Sequence, residues 1–549
     1  MKLILFGLAS YNKTEIQNNR DFYNEWHKKE YYEDYLTVNE NERFTFSQVY
    51  QNQKNDNHPP LYYLILRIAM EFNIGKYSKW PGIVINIIIY IFITIFMYLI
   101  ISKLLYNKEK YKEKAVILAF ISSIMLSAIT NAIFIRMYAL STLNIVVITY
   151  LHLKLLDSEN RNNMILVGIG IFALLGSLTH YYFLFYLLTL FIMFIIKYIK
   201  EKKLKQLGKY ILVLTIAGIL SLIIFPYSIH HMFFSYRGQS VLDNFTNIYQ
   251  YLIKIVLYLI IANIYIFNNF LIVLLLGILI ICIYKLLKHK KLFNIKNKYV
   301  KYIAIPTLIY FIIVAICSPF IEIRYILPIS PMIFTIIIYF IYNILHNTFK
   351  ENVTNKIMLF IILAMFIMVF LSNKIIDVIV GKKFRSEEEF LYSNKIELIE
   401  NLENECNLPM EMLSKIEGIP LDNVLLYIKD FIIEPETMYS NKKDIMEKVN
   451  KELQNVPALY LLNSNNNRFL DDILLFANIK ESYIAKDIEY TEENIKDILK
   501  NKDISSGVLI FINDWQDNKK ILDIIQKTTN LYDKIYLKRL NMCDVYYIK

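Results

Sequence analysis

The stretch DNHPPLYYLIL, residues 56–66, places an acid and a histidine just before two prolines and an apolar run. Asp56 and His58 are residue types that take up and release protons. Four further polar clusters interrupt otherwise apolar sequence: IRMYAL with Arg136 and Tyr138, LTHYYFLFYLL with His180 and Tyr181, HHMFFSYRG with Arg237, and IEIRYILP with Glu322, Arg324 and Tyr325. Arginine offers a planar fork that matches phosphate oxygens. Tyrosine carries an apolar body and a polar tip, which suits a lipid–water boundary. Each cluster alone has a plainer reading. A span-end Arg or Tyr anchors a helix at the interface, His58 can cap the helix that follows, and Asp56 can close an Asx-turn before the prolines. A molecule with an apolar tail, a phosphate and a polar head would use all five clusters, and a lipid-phosphate-linked sugar is such a molecule.

The elements that must position these residues are membrane spans. The 549 residues are 56% hydrophobic, with a mean hydropathy of +0.36, too apolar for an ordinary soluble enzyme. Runs of about 20 apolar residues recur along the chain. They predict a multi-pass α-helical membrane protein of about ten spans, near 81–102, 115–132, 136–155, 164–180, 181–199, 210–228, 269–287, 302–317, 324–345 and 357–378. The net charge of +11 sits in loops between the runs, which argues for topology and against nucleic acid as a partner. The segments 103–114, 197–209 and 285–301 are strongly basic and 154–161 mildly so. Placing all four in the cytoplasm puts residues 1–80, with their juxtamembrane helices, outside. It also makes 251–267 an interfacial or re-entrant helix, because a crossing there would move 285–301 to the wrong side.

On this reading, residues 81–380 form the transmembrane domain and 385–549 an extracytoplasmic α/β domain. In the latter, NVLLYIK, ALYLLN and GVLIFIND read as buried strands, and NRFLDDILLFANI and NKKILDIIQKTTN as amphipathic helices. This region carries no Gly-rich phosphate loop, metal-ligand spacing or nucleophile motif, and its role is not legible. Cys282, Cys317, Cys406 and Cys543 include no CxxC pair and indicate neither a disulfide framework nor a metal site; a Cys406–Cys543 bridge has little support. No signal peptide is evident.

Taken in order, DNHPPLYYLIL, RMYAL opening a span, THYYFLF and RYILPISP resemble the bacterial glycosyltransferase family 39 proteins. These are relatives of protein O-mannosyltransferases and of the aminoarabinose transferase acting on lipid A. The resemblance covers roughly residues 1–380. It implies a C-type glycosyltransferase fold, a polyprenyl-phosphate sugar donor drawn from the membrane lipid, and a glycan, lipid or protein acceptor outside, with inversion at the anomeric centre usual. In the family a first-loop carboxylate activates the acceptor hydroxyl, while basic and tyrosine side chains hold the leaving phosphate, meeting developing charge with fixed donors. Carried onto this chain, Asp56 and His58 take the catalytic, pocket-organising positions. Arg136, Arg237 and Arg324 face the donor phosphate, His180 and Tyr181 form the pocket wall, and Tyr138, Glu322 and Tyr325 complete the substrate site. Metal dependence varies in the wider superfamily, so the cofactor stays unknown and a divalent metal unsupported.

One departure matters. Family members begin with a further span ending in an acidic pair, followed by something like xFSxGLAxS. Here FGLASY (6–11) follows only MKLIL, so that span and pair are not among these residues. A start set too late and a truncated, inactive copy both account for this. Asp21, Glu30, Glu33 and Asp34 lie in the same loop as Asp56 and are substitutes for the base. Three other functions compete: a lipid-linked polysaccharide polymerase or flippase-like protein, a non-catalytic membrane scaffold, and a transporter. Transporters favour internal repeats and helices broken near the midplane, and the chain has no evident repeat.

Overall fold

The computed structural model describes residues 23–379 and 448–549, apart from 77, 107, 158–161, 245–247, 269, 272–273, 280–282, 284–296, 319–320, 463–472, 514–517 and 541–542. The chain divides into two compact units. One, the bundle unit, comprises the described parts of 56–62 and 82–433; the other, the sheet unit, comprises those of 1–55, 63–81 and 434–549.

Twelve helices are needed below. They are α1 (Leu61–Met70), α2 (Trp80–Leu105), α3 (Tyr111–Ile124), α4 (Leu126–Ile133), α5 (Tyr138–Asp157), α6 (Asn162–Ser177), α7 (Phe183–Lys200), α8 (Leu204–Ile224), α9 (Ile248–Tyr265), α10 (Val300–Cys317), α11 (Ser330–His346) and α12 (Glu351–Ile379). Six helices among the described residues are long and apolar enough to cross a membrane: α2, α5, α7, α8, α10 and the run Leu327–His346 that contains α11. The bent pair α3–α4 makes a seventh if it is one span. At 26 residues, α2 extends about 39 Å, more than the ~30 Å hydrocarbon core. The expected run 269–287 falls largely outside the described residues.

One local result differs from the sequence expectations. The run 115–132 is not one straight helix but α3 and α4, bent by 55°. Met125 at the break is extended (φ −62°, ψ 154°). Just before it, the Ser122 and Ser123 hydroxyls both donate to the Ala119 carbonyl, the kind of back-bonding that bends helices. The segment 251–267, expected to be interfacial or re-entrant, is not among the helices long enough to cross a membrane. Its helix α9 packs on α10 and runs into the bundle: Tyr258 is fully buried, and the turn after it places Asn268 against Met125 and the Met365 carbonyl of α12.

Inside the bundle α5 is central and α8 peripheral: α5 is buried along most of its length, while α8 exposes Leu212, Ile216, Ile219 and Ile223. Buried polar pairs join neighbouring helices, as expected where apolar packing alone gives no preference between lipid and protein. Asn131 donates to Thr142 (3.0 Å), Asn144 to Thr179 (3.1 Å), and His152 Nε2 lies 2.9 Å from the Tyr210 hydroxyl.

The bundle has two chemically distinct ends. At one, Asp157 closing α5 binds Lys103 from α2, Lys298 (2.7 Å) and the Tyr299 hydroxyl (2.6 Å) before α10. Lys114 of α3 pairs with Glu351 of α12 at 2.9 Å. Three of the four segments counted as basic in the sequence, 103–114, 154–161 and 285–301, therefore meet at Asp157. The residues with chemical potential gather at the opposite helix ends.

The sheet unit is built on six strands: β1 (Trp26–Lys28), β2 (Ala458–Leu461), β3 (Glu481–Ala485), β4 (Val508–Asn513), β5 (Lys534–Leu540) and β6 (Cys543–Ile548), in the order β1-β3-β2-β4-β6-β5. β2 runs parallel to β3 and β4, and the other pairings are antiparallel. Helices Glu492–Leu499 and Asn518–Thr529 cover one face through Ile495, Ile521 and Ile525; the other face packs Tyr32, Tyr460, Phe476 and Phe511. ALYLLN and GVLIFIND are the strands read from sequence, while NVLLYIK and Cys406 lie outside the described residues. The N-terminal region contributes an edge strand the sequence did not announce. Trp26 pairs with Tyr483, the Trp26 indole donates to the Ile498 carbonyl at 2.8 Å, and the Tyr32 hydroxyl meets Ser482 at 2.6 Å.

Before β4, Gly507 has φ +96°, and a Cβ there would sit 2.4 Å from the Ile548 carbonyl oxygen. Gly507→Ala is expected to cost about 1–3 kcal/mol, read as faster amide exchange along β4 and β6. Unchanged exchange would count against that strain.

Candidate functional site

The site is assembled by loops at the second end of the bundle. Pro59 and Pro60 are buried and end just before α1, where a fixed φ suits a helix start. The first amide of α1, on Leu61, donates to the Leu178 carbonyl at 3.1 Å, which ties the DNHPP turn to the loop carrying His180. His58 Nδ1 lies 2.9 Å from Asp56 Oδ2, with about a quarter of the Asp56 side chain still exposed (27%). Burial would raise the Asp56 carboxyl, but the charge and hydrogen bond of His58 outweigh it, and Asp56 is held well below the ordinary carboxylate range. It is therefore a weak proton acceptor and a firm electrostatic anchor for the imidazole. The contact at Nδ1 orients the imidazole against the Asp56 carboxylate.

Arg136 enters on a short turn before α5. Asn86 of α2 holds that turn through bonds to the Ala132 and Phe134 carbonyls (3.1 and 3.0 Å), and Asn86 in turn accepts from the Tyr62 hydroxyl at 3.1 Å. Arg136 is 7% exposed, and its buried Nε makes no hydrogen bond. Its guanidinium lies 5.9 Å from the Phe134 ring and acts electrostatically on Asp56 and Tyr138. A buried cation with an unsatisfied donor is costly unless an anion completes it.

Tyr138 stacks on Phe134 (5.7 Å) and tilts against His180 (5.4 Å). His180 Nδ1 accepts from the Tyr182 amide at 3.2 Å. Burial, with the positive influence of His58 and Arg324, lowers its pKa to about 3, so His180 is neutral and its Nε2 carries the proton. Tyr182 bridges to Tyr325 (5.6 Å), while Arg324 binds Glu322 and lies 5.1 Å from the Tyr325 ring. Tyr181 sits within electrostatic reach of Asp56, its hydroxyl 2.8 Å from His231 Nδ1.

Thus Asp56, His58, Arg136, Tyr138, His180, Tyr181, Glu322, Arg324 and Tyr325 form one connected cluster. The helix that carries Arg237, Tyr236–Asn244, is described, but the Arg237 side chain lies outside the described residues. Two members were not singled out beforehand. His231 was one of a histidine pair in a loop noted for its arginine. Lys254 is 1% exposed on α9 and donates to the Ser318 carbonyl at 3.3 Å, beside the Tyr258–Ser318 bond (2.8 Å). Its signal was a lone cation in YLIKIVLYLII, where intramembrane charge marks function by default. Among the described residues no three His, Cys, Asp or Glu side chains are placed to hold a metal ion.

Because His180 resists protonation when folded, acid favours the unfolded chain. Its contribution to stability is intact above pH 6.5, its ordinary value, and drains away as pH falls toward 3. The loss of melting temperature between pH 6.5 and 4 is expected to be smaller in His180→Gln than in the parent; equal slopes would place the acid sensitivity elsewhere.

No protein-family model matches the chain, and no curated protein matches it.

Proposed function

We propose that the protein is a membrane glycosyltransferase that moves a sugar from a polyprenyl-phosphate donor to an acceptor hydroxyl outside the membrane, on a C-type glycosyltransferase fold of about ten spans with an extracytoplasmic sheet unit. The observation that carries this reading is the convergence, at one end of the bundle, of a hydrogen-bonded Asp56–His58 pair with the buried cations Arg136, Arg324 and Lys254 and a wall of tyrosines. The end opposite the basic helix ends is the extracytoplasmic one under the positive-inside rule.

In this reaction the acceptor oxygen attacks the anomeric carbon, the bond to the phosphate oxygen breaks, and polyprenyl phosphate leaves with the bonding electrons. The cations meet the charge that develops on the phosphate. The acceptor proton passes to the neutral form of His58, and Asp56 steadies the imidazolium that results. Tyr138, Tyr182 and Tyr325 line the apolar approach, and His180, being neutral, adds a hydrogen-bond donor without adding charge.

The test is release of polyprenyl phosphate from radiolabelled polyprenyl-phosphate hexose or pentose by the full chain in liposomes, with His58→Ala beside it. Release by the parent and its loss in a folded variant are expected. No release with any donor, or full release by His58→Ala, would overturn the proposal. The binding of wall polymers by a protein that releases nothing would favour the scaffold reading instead.

A further inference from the structure

At the basic end of the bundle, away from the cluster above, a groove of about 200 Å³ runs between α2, α3, α11 and α12. Its floor is Ile101, Leu105, Ile338 and Met358, and its rim is Ile117 and Leu359, which are 50% and 56% exposed. It is larger than the ~150 Å³ apolar cavity that suffices to take up benzene. One polar group faces this apolar lining unsatisfied: Thr335 is 4% exposed and its Oγ1 has no hydrogen-bond partner.

The mouth carries charge. Lys114, itself a lining residue, lies 5.3 Å from the Tyr342 ring, and Lys108 lies 5.8 Å from the same ring. Lys114 is paired with Glu351, whereas Lys108 lies 3.5 Å from His346 Nδ1. Burial, reinforced by Lys114, disfavours the charged form of Lys108. Lys108 and Lys114 thus share the Tyr342 face with two carboxylates in reach, Glu351 and Glu109, and the segment 108–114, with four lysines and two glutamates, leaves the mouth net basic. An apolar slot open on one side beneath a net basic mouth complements an acyl chain that ends in a phosphate.

We propose that this groove binds one anionic phospholipid, with an acyl chain along Ile101, Leu105, Ile338 and Met358 and the headgroup phosphate at Lys108 and Lys114. The site is separate from the transfer cluster and does not depend on the activity proposed above, because its test reads bound lipid and not turnover. Basic pockets between membrane helices suit such headgroups, with each lysine near an anionic surface adding a modest increment.

The experiment uses the full chain in nanodiscs containing equal phosphatidylglycerol and phosphatidylcholine, exchanged into detergent and weighed by native mass spectrometry. Retention of one phosphatidylglycerol about ten-fold over phosphatidylcholine is expected. Millimolar glycerol phosphate should not compete, because it has no chain to fill the groove. Lys108→Gln with Lys114→Gln should abolish the preference, while Lys197→Gln with Lys203→Gln, a lysine pair held by Glu201 elsewhere, should leave it. Equal retention of the two lipids by the parent overturns the proposal whatever the variants do. Displacement by glycerol phosphate would show a phosphate site without a lipid site, and overturns it too.

Discussion

Arg136→Met should lower the proposed sugar transfer by two to three orders of magnitude while leaving the protein at least as stable as the parent. The two halves of this expectation have one cause. Arg136 is buried, its Nε is unsatisfied, and it stands beside Asp56 in the turn that Asn86 fixes. Holding a cation in that state costs folding free energy, and an apolar side chain of similar length removes the cost. Removal of one fixed donor from a site of developing negative charge typically costs 10²–10³ in rate. The loss should lie mainly in kcat, since the charge it meets appears as the phosphate leaves. Parent-level transfer would remove Arg136 from the reaction. A fall in melting temperature that tracks the lost activity would make Arg136 structural.

Arg67→Met should have the largest effect on stability. Arg67 of α1 is fully buried, its Nε donates to Glu71 at 3.0 Å, its Nη2 donates to the Glu42 carbonyl, and Glu71 is itself only 3% exposed. Taking away the guanidinium leaves Glu71 a buried carboxylate without its cation, and leaves the Glu42 carbonyl the Thr45 amide (3.0 Å). Breaking such a pair costs about 3–5 kcal/mol, equivalent to amide exchange about two to four orders of magnitude faster in peptides covering 63–72. Arg67→Met with Glu71→Leu should recover much of the protection, because it removes both charges together. If the double variant exchanges as fast as the single one, packing and not charge is what Arg67 supplies.

The effect at Arg67 depends on no motif, whereas Arg136 was named in IRMYAL, and the difference bears on how much was legible in the sequence. Apolar runs reveal helices because a span needs a set length of uninterrupted hydrocarbon, so α2, α5, α7, α8 and α10 fell where the runs lay. Lysine counting grouped the loops that Asp157 and Glu351 bring into contact. The site cluster was legible because polar residues inside apolar sequence are expensive and therefore rare. What stayed hidden depends on three-dimensional neighbours. The break at Met125 has no Pro or Gly to announce it. Lys254 gained its place only from the packing of α9 on α10, which brings it to the Ser318 carbonyl. The strand WHK is three residues long and carries no alternation of its own; only the face of β3 gives it a place.

That strand also sets an order of events. Tyr32 and its partner Ser482 are separated by 450 positions, and every helix of the bundle is made between them. During synthesis, the first edge of the sheet must wait, unpaired, until the whole bundle has been produced. Closing so large a loop is slow compared with local helix formation. The sheet unit is therefore the last part of the protein to fold, and its N-terminal edge spends that interval open to chaperones, proteases and neighbouring strands. A recombinant sheet unit spanning only 448–549 would lack the strand that covers β3, and joining residues 23–55 to it through a short linker is the direct way to restore that edge.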